Sequence, residues 1–191
     1  MVEVKIVATR RVGLLDLGER SLAWKAGALV LGTLFLALSS YVEVPMVPVP
    51  MTMQTLAVTL VGALYGWRLG GLTIAAWLLE GALGLPVLAG GAAGARHFVG
   101  PTAGYLFAFV PAGALVGWLT ERGWNGTRPA LAFAAALAGN AVCLVFGAAW
   151  LALLVGPEPA ISSGVTPFLL GAVLKSILAA ALVSVLWKRV R

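Results

Sequence analysis

Charge is what this chain has least of. Lys, Arg, Asp and Glu together make up 10% of its 191 residues, where a soluble domain carries about a quarter. Apolar residues reach 61% and mean hydropathy is +1.00. So few charges cannot clothe a water-facing surface, and the matching solvent is lipid. Cysteine is equally scarce. The single Cys143 lies in an apolar run, which excludes a disulfide framework and leaves the redox compartment unread. One histidine, His97, beside that one cysteine supplies no metal cluster and no His-Glu-x-x-His helix.

Catalysis and energy coupling are excluded in the same way. Ser176 directly follows Lys175, and adjacent residues of a helix point in different directions, so the two make no nucleophile and base. Leu174–Lys175–Ser176 lacks the Gly-x-x-x-x-Gly lead of a phosphate loop. The chain is expected to be neither an enzyme nor an ATPase, with no catalytic residue, metal or cofactor. A net charge of +6 and a pI near 10.1 would suit nucleic acid. The basic residues border apolar runs instead of interleaving with aromatics, so membrane lipid is expected as the surroundings and nucleic acid is not a partner.

What is there is a series of apolar runs. Six stand out, at about 23–42, 53–67, 70–88, 102–120, 130–155 and 167–187, which predicts an all-α polytopic protein of the cell membrane. The second is short and the fifth long, so the spans are expected to be tilted or curved. Residues 1–22 read as a cytoplasmic or interfacial segment, too rich in mixed charge for a cleavable leader. Residues 23–187 form the membrane domain, and 188–191 a basic tail. With both termini inside, 11 of the 13 basic residues face the cytoplasm, the bias that orients membrane proteins. The exceptions are Arg96, between spans three and four, and Lys175, about two turns into span six.

Prolines follow the opposite bias. Eight of ten (Pro45, Pro48, Pro50, Pro86, Pro101, Pro157, Pro159 and Pro167) fall in or beside outer connections. Rigid, irregular chain at membrane depth survives only when packed on protein or lining a cavity, so a site is expected in the outer half. Lys175 fits there, because a lysine inside a span costs roughly 2.5–3.5 kcal/mol on insertion scales and calls for an anion or a polar partner. Gly90–Gly91–Ala92–Ala93–Gly94–Ala95–Arg96–His97 reads either as a carboxylate receptor of bare amides and a guanidinium or as a loop with a solvated arginine. Glu80, within span three, could pair with Lys175, hold a proton or accept from a ligand. Asn140, within span five, suits a bridge between helices. Gly62–Gly66–Gly70 and Gly113–Gly117 fit internal helix packing, while Ala28 and Gly32 could dock another membrane subunit.

Val47–Pro48–Val49–Pro50–Met51–Thr52–Met53–Gln54–Thr55 resembles the outer-loop signature of the BioY family, the biotin-binding S components of energy-coupling-factor transporters. Gly84–Leu85–Pro86–Val87 with Ala89–Gly90–Gly91 is similar to that family's exit from span three. Gly100–Pro101–Thr102–Ala103–Gly104–Tyr105 resembles its entry to span four, and Pro167–Phe168 with Gly171 and Lys175 the start of its last span. These matches run in order over most of the chain. The resemblance implies a binder that captures biotin at its outer side, with loops 43–53 and 89–101 as a lid and spans four to six as the wall. Its expected partners are a transmembrane T subunit and two cytoplasmic ATPases.

Ligand-binding residues implied in this way are Thr52, Gln54, Glu80, Gly90, Gly91, Arg96, Gly100, Thr102, Tyr105, Asn140 and Lys175. Biotin is the expected transported ligand. Where the family commonly carries an Asp three residues before the last-span lysine, this chain has Ala172. That leaves Glu80, Asn140 or Thr52 as the acceptor for the ureido group. An S component for thiamine or riboflavin, or a membrane adaptor without a small ligand, is the alternative.

Overall fold

Apolar run after apolar run forms helix in the computed structural model, which describes residues 21–190. The proposed N-terminal segment, apart from Ser21 and Leu22, and the final Arg191 lie outside the described residues. Five helices are long and apolar enough to cross a membrane. They are α1 (Leu22–Ser40), α2 (Gln54–Ala82), α3 (Ala103–Glu121), α4 (Pro129–Val155) and α6 (Phe168–Val190). A short α5 (Pro157–Gly164) and a two-stranded hairpin, β1 (Glu43–Val44) with β2 (Met51–Thr52), lie in the connections. Pro129 and Pro157 sit in the first turns of α4 and α5, where a missing N–H breaks no helical bond. The basic tail is no separate element, since α6 continues through Lys188 and Arg189.

The decisive local event is inside α2. Gly66 adopts φ 78° and ψ 176°, a conformation open to glycine and strained for other residues. A straight helix would hold residues eight apart at about 12 Å. Instead, a methyl placed on Gly70 would stand 3.1 Å from the Cα of Gly62. The chain therefore folds back at Gly66, and two arms of α2 lie side by side. They occupy the second and third apolar runs, with the second arm ending at Ala82 and not at 88. Residues 83–102 form a long connection without α-helix, because Gly84, Pro86 and the following glycines do not sustain helix.

Small residues let the arms and α3 approach closely. A methyl on Gly62 would overlap the backbone carbonyl of Gly113, and one on Gly113 would overlap Ile74 Cδ1. Gly117 sits against Gly66 and Trp67 at the turn. Glu121 Oε1 accepts from the Trp67 backbone N–H at 3.1 Å, giving the second arm a cap at its start. Around this contact Val58, Val61, Ile74, Trp77, Phe109 and Leu36 form the main core, with the Trp77 and Phe109 rings 5.8 Å apart. α4 packs on α3, α5 and α6, and α6 also touches α2.

Gly32 belongs to this interior. It is buried, and a methyl there would stand 2.6 Å from Thr73 Cγ2 and 2.9 Å from Tyr65 Cε2. The expectation that Ala28 and Gly32 offer a partner-docking face is corrected accordingly: Gly32 serves the α1–α2 contact, and Ala28 is half-buried.

Gly62→Ala should lower the thermal unfolding midpoint in detergent, because overfilling a close contact costs about 1–3 kcal/mol. Gly27→Ala, whose added methyl would meet nothing within 4 Å, should leave it unchanged or slightly raised. Equal midpoints for Gly62→Ala and wild type would refute the close approach.

Candidate ligand-binding site

The reversal at Gly66 sends both ends of α2 to one side, and the loops on either side of α2 lie there together. In the first, Glu43 pairs with Thr52 and Val44 with Met51, and the prolines between them hold residues 45–50 away from any regular element. This loop turns Val49 inward to 4% exposure, against Tyr105, Leu151, Ala160 and Phe168. In the second loop Leu88, 2% exposed, joins the Leu36 and Trp77 cluster. Trp77 Nε1 donates to Val87 O at 2.9 Å, Tyr41 Oη to Pro86 O at 2.5 Å, and Trp150 Nε1 to Gly100 O at 3.0 Å. Tyr105 Oη donates to Gly164 O at 2.7 Å and ties α3 to the end of α5.

Beneath these loops lies a cavity of about 450 Å³, within the range of small-molecule sites. Its floor and walls come from α3, α4, α6 and the start of α2. Leu106, Phe109, Leu144 and Phe168 make it largely apolar. Thr52, Gln54, Arg96, Gly100, Thr102, Tyr105, Asn140 and Lys175 all line it, as expected.

Glu80, Gly90 and Gly91 do not line it. Glu80 is half-buried on another face of α2, near the outer end of the second arm. Gly90 sits against the Glu43 carboxylate and Gly91 against the Tyr41 ring, so these glycines hold the loop together and form no anion receptor. Lys175 is not paired with Glu80 either. Its Nζ donates to Thr52 O at 2.6 Å and Thr55 Oγ1 at 3.2 Å.

Several wall residues were not picked out as binders. Pro48, Val49, Pro50, Thr55 and Phe168 lay in the matched motifs, and that signal could have found them. Ala92 and His97 lay in the 90–97 stretch already singled out, whereas Leu106, Phe109, Cys143 and Leu144 had no signal, because the face an apolar residue presents depends on how its helix is turned.

The electrostatics are one-sided. Arg96 and Lys175 line the cavity, and among the described residues no carboxylate does. Lys175 reaches the N-terminal end of α2, where the helix dipole is also positive. At the mouth, Arg96 Nε donates to His97 Nε2 at 3.3 Å. Partial burial, and then the neighbouring Arg96 charge, hold His97 below its ordinary pKa. The arrangement suits a small anion with an apolar body.

A model of the BioY family matches residues 17–191, nearly the whole chain. The chain belongs to the BioY family. It is 37% identical over 155 residues to a Pyrococcus horikoshii protein named as a probable biotin transporter BioY, covering 80% of this chain and 91% of that one. A biotin transporter BioY from Thermotoga maritima is 34% identical over 151 residues, covering 78% and 86%. Among solved structures, this BioY-family fold is similar to the 2.1 Å crystal structure of the S-component for biotin from an ECF-type ABC transporter. The TM-score is 0.77 at 27% identity, with 88% of this chain and 95% of that one covered.

His97 gives a pH test. Its folded pKa lies below the unfolded value of about 6.5, so the folded state resists a proton that the unfolded chain accepts. The associated stability is fully present above that value and is lost as pH falls through it toward the folded pKa. Between pH 7.5 and 5.5 the unfolding midpoint of wild type should therefore fall more than that of His97→Gln. Parallel curves would show that His97 contributes nothing.

Proposed function

We propose that this chain is the substrate-binding membrane subunit of a biotin uptake system, a transport component and not an enzyme. The observation that carries this reading is the roofed cavity whose lining, among the described residues, holds Lys175 and Arg96 and no carboxylate. Biotin matches it, with an apolar bicycle and chain for Leu106, Phe109, Leu144 and Phe168 and a carboxylate for a cation. A cationic vitamin such as thiamine would meet two uncompensated positive charges, and an adaptor without a small ligand would have no use for such a cavity. Membership of the BioY family supports the same ligand.

Lys175 is assigned the carboxylate. Two of its three N–H donors serve Thr52 O and Thr55 Oγ1, and the third remains for the ligand. Losing one partner of a desolvated ion pair costs roughly 2–5 kcal/mol, or about 30-fold to several thousand-fold in affinity. Calorimetric titration of the purified chain should show saturable biotin binding, strong preference for biotin over biotin amide, and loss of that preference in Lys175→Met. If the variant keeps the full preference for the acid, Arg96 is the carboxylate partner instead. Saturable binding of another vitamin and none of biotin would overturn the function.

In the membrane, α1, the two arms of α2, α3, α4 and α6 make six passes with both termini inside. The first arm, at about 18 Å over residues 54–65, is shorter than a bilayer core and requires local thinning. A transmembrane T subunit and two cytoplasmic ATPases supply the energy, as the likeness to an ECF S-component supports.

Orientation can be read with introduced thiols. Cys143 is buried and provides a silent background, while Thr127, Ile161 and Arg189 are exposed. An impermeant maleimide added to intact cells should label Ile161→Cys and spare Thr127→Cys and Arg189→Cys. Labelling of Thr127→Cys would reverse the topology.

A further inference from the structure

Asn140 is a polar side chain of the cavity wall whose acceptor oxygen meets no protein donor among the described residues. It stands on α4 at 3% exposure and lines the cavity. Its Nδ2 donates to Ala136 O at 3.0 Å and to Ser176 Oγ at 3.2 Å. Ser176 Oγ donates in turn to Ala172 O at 2.7 Å. Chemistry fixes this orientation, because a backbone carbonyl carries no hydrogen, so the amide atom beside Ala136 O must be nitrogen. Both N–H donors are engaged. Oδ1 is left over, and among the described residues no donor reaches it.

Other polar groups of the wall are engaged already. Thr52 Oγ1 donates to Gln54 Oε1, Gln54 Nε2 donates to Ser40 Oγ, and Thr55 Oγ1 accepts from Lys175. Tyr105 Oη donates to Gly164 O. An acceptor held in place by its neighbours and open to a ligand cavity, with no protein donor, is a receptor for an N–H. Biotin with its carboxylate ionised has two such donors, the N–H groups of its ureido ring.

We infer that Oδ1 of Asn140 accepts a ureido N–H of the bound vitamin and fixes which end of the ligand lies between α4 and α6. This rests on the biotin reading above and adds the residue that selects the ureido ring. The side chain at position 172 is a methyl that offers no acceptor, while Ser176 and the carbonyl of Ala172 hold the Asn140 amide in register. Lys175, reaching toward α2, serves a different wall. The bicyclic end is thus read through a neutral hydrogen bond and the acid end through charge.

The test compares biotin with its two mono-N-methyl ureido derivatives, titrated into the full-length purified chain. Wild type should bind biotin about 5- to 150-fold more tightly than at least one methylated derivative, the range expected when one buried hydrogen bond is lost. Asn140→Ala should weaken biotin by a similar factor and bind all three ligands alike. Adding Ala172→Asp to Asn140→Ala should restore both affinity and selectivity, because an acceptor then returns to the same corner of the cavity. The wild-type comparison needs no variant to fold. Equal affinity of wild type for biotin and both methylated ligands overturns the inference and leaves biotin binding standing. Full selectivity persisting in Asn140→Ala also overturns it, whereas no biotin binding by wild type overturns the functional reading with it.

Discussion

The site depends on the contact between bare backbones where the arms of α2 meet α3. With Gly62 against Gly113 and the chain folded back at Gly66, the beginning and the end of one helical hairpin emerge on one side of the molecule. Thr52 and Thr55 lie at one end and Val87 and Leu88 beyond the other, and each contributes to or supports the same cavity. Side chains at Gly62 or Gly113 would push α3 outward and open the wall formed by Leu106 and Phe109. Dispersion across such a contact is favourable in lipid, where apolar burial alone does not favour helix association.

Polar groups are rationed along the same lines. Inside a membrane each unsatisfied donor or acceptor is expensive, and the wall satisfies nearly all of its own. Ser40, Thr52 and Gln54 form one chain of hydrogen bonds, and Ser176, Ala172 and Asn140 form another. A ligand entering such a wall meets few open valences: the remaining donor of Lys175, the oxygen of Asn140, and the guanidinium at the mouth. Selectivity then follows from the small number of groups left unpaired and from how firmly their neighbours hold them.

Much of this was legible in the sequence, and the remainder was hidden for definable reasons. The apolar runs located the long helices to within a few residues, because hydrophobic length is set by the bilayer. Pro48, Pro50 and Pro101 and the cations Arg96 and Lys175, singled out in the sequence, all line one cavity. Glu80 was misread because its position along the helix says nothing about the face it occupies. Trp77, one turn away, is fully buried while Glu80 is off the cavity. Gly90 and Gly91 were read as a receptor for want of their contacts with Glu43 and Tyr41, which join residues far apart in sequence. The spacing of Ala28 and Gly32 signalled close packing but could not name the partner, which is α2 of the same chain. Helix α5 went unnoticed because its prolines resemble loop chemistry until they are placed in a first turn.

Val49 sets how often the cavity's roof stands open at equilibrium. Its side chain packs in a cluster with Tyr105, Leu151, Ala160 and Phe168, an apolar clasp beside the polar tie of Lys175 to Thr52 O. Withdrawing one such side chain costs about 2 kcal/mol, which leaves the clasp undone roughly 3% of the time at equilibrium. On the proposed function, a ligand that touches the inner side of this loop would favour the closed form and lower that fraction further. Emptying the pocket would then mean freeing a valine and breaking the Lys175–Thr52 bond together, two ties of opposite chemistry on one loop.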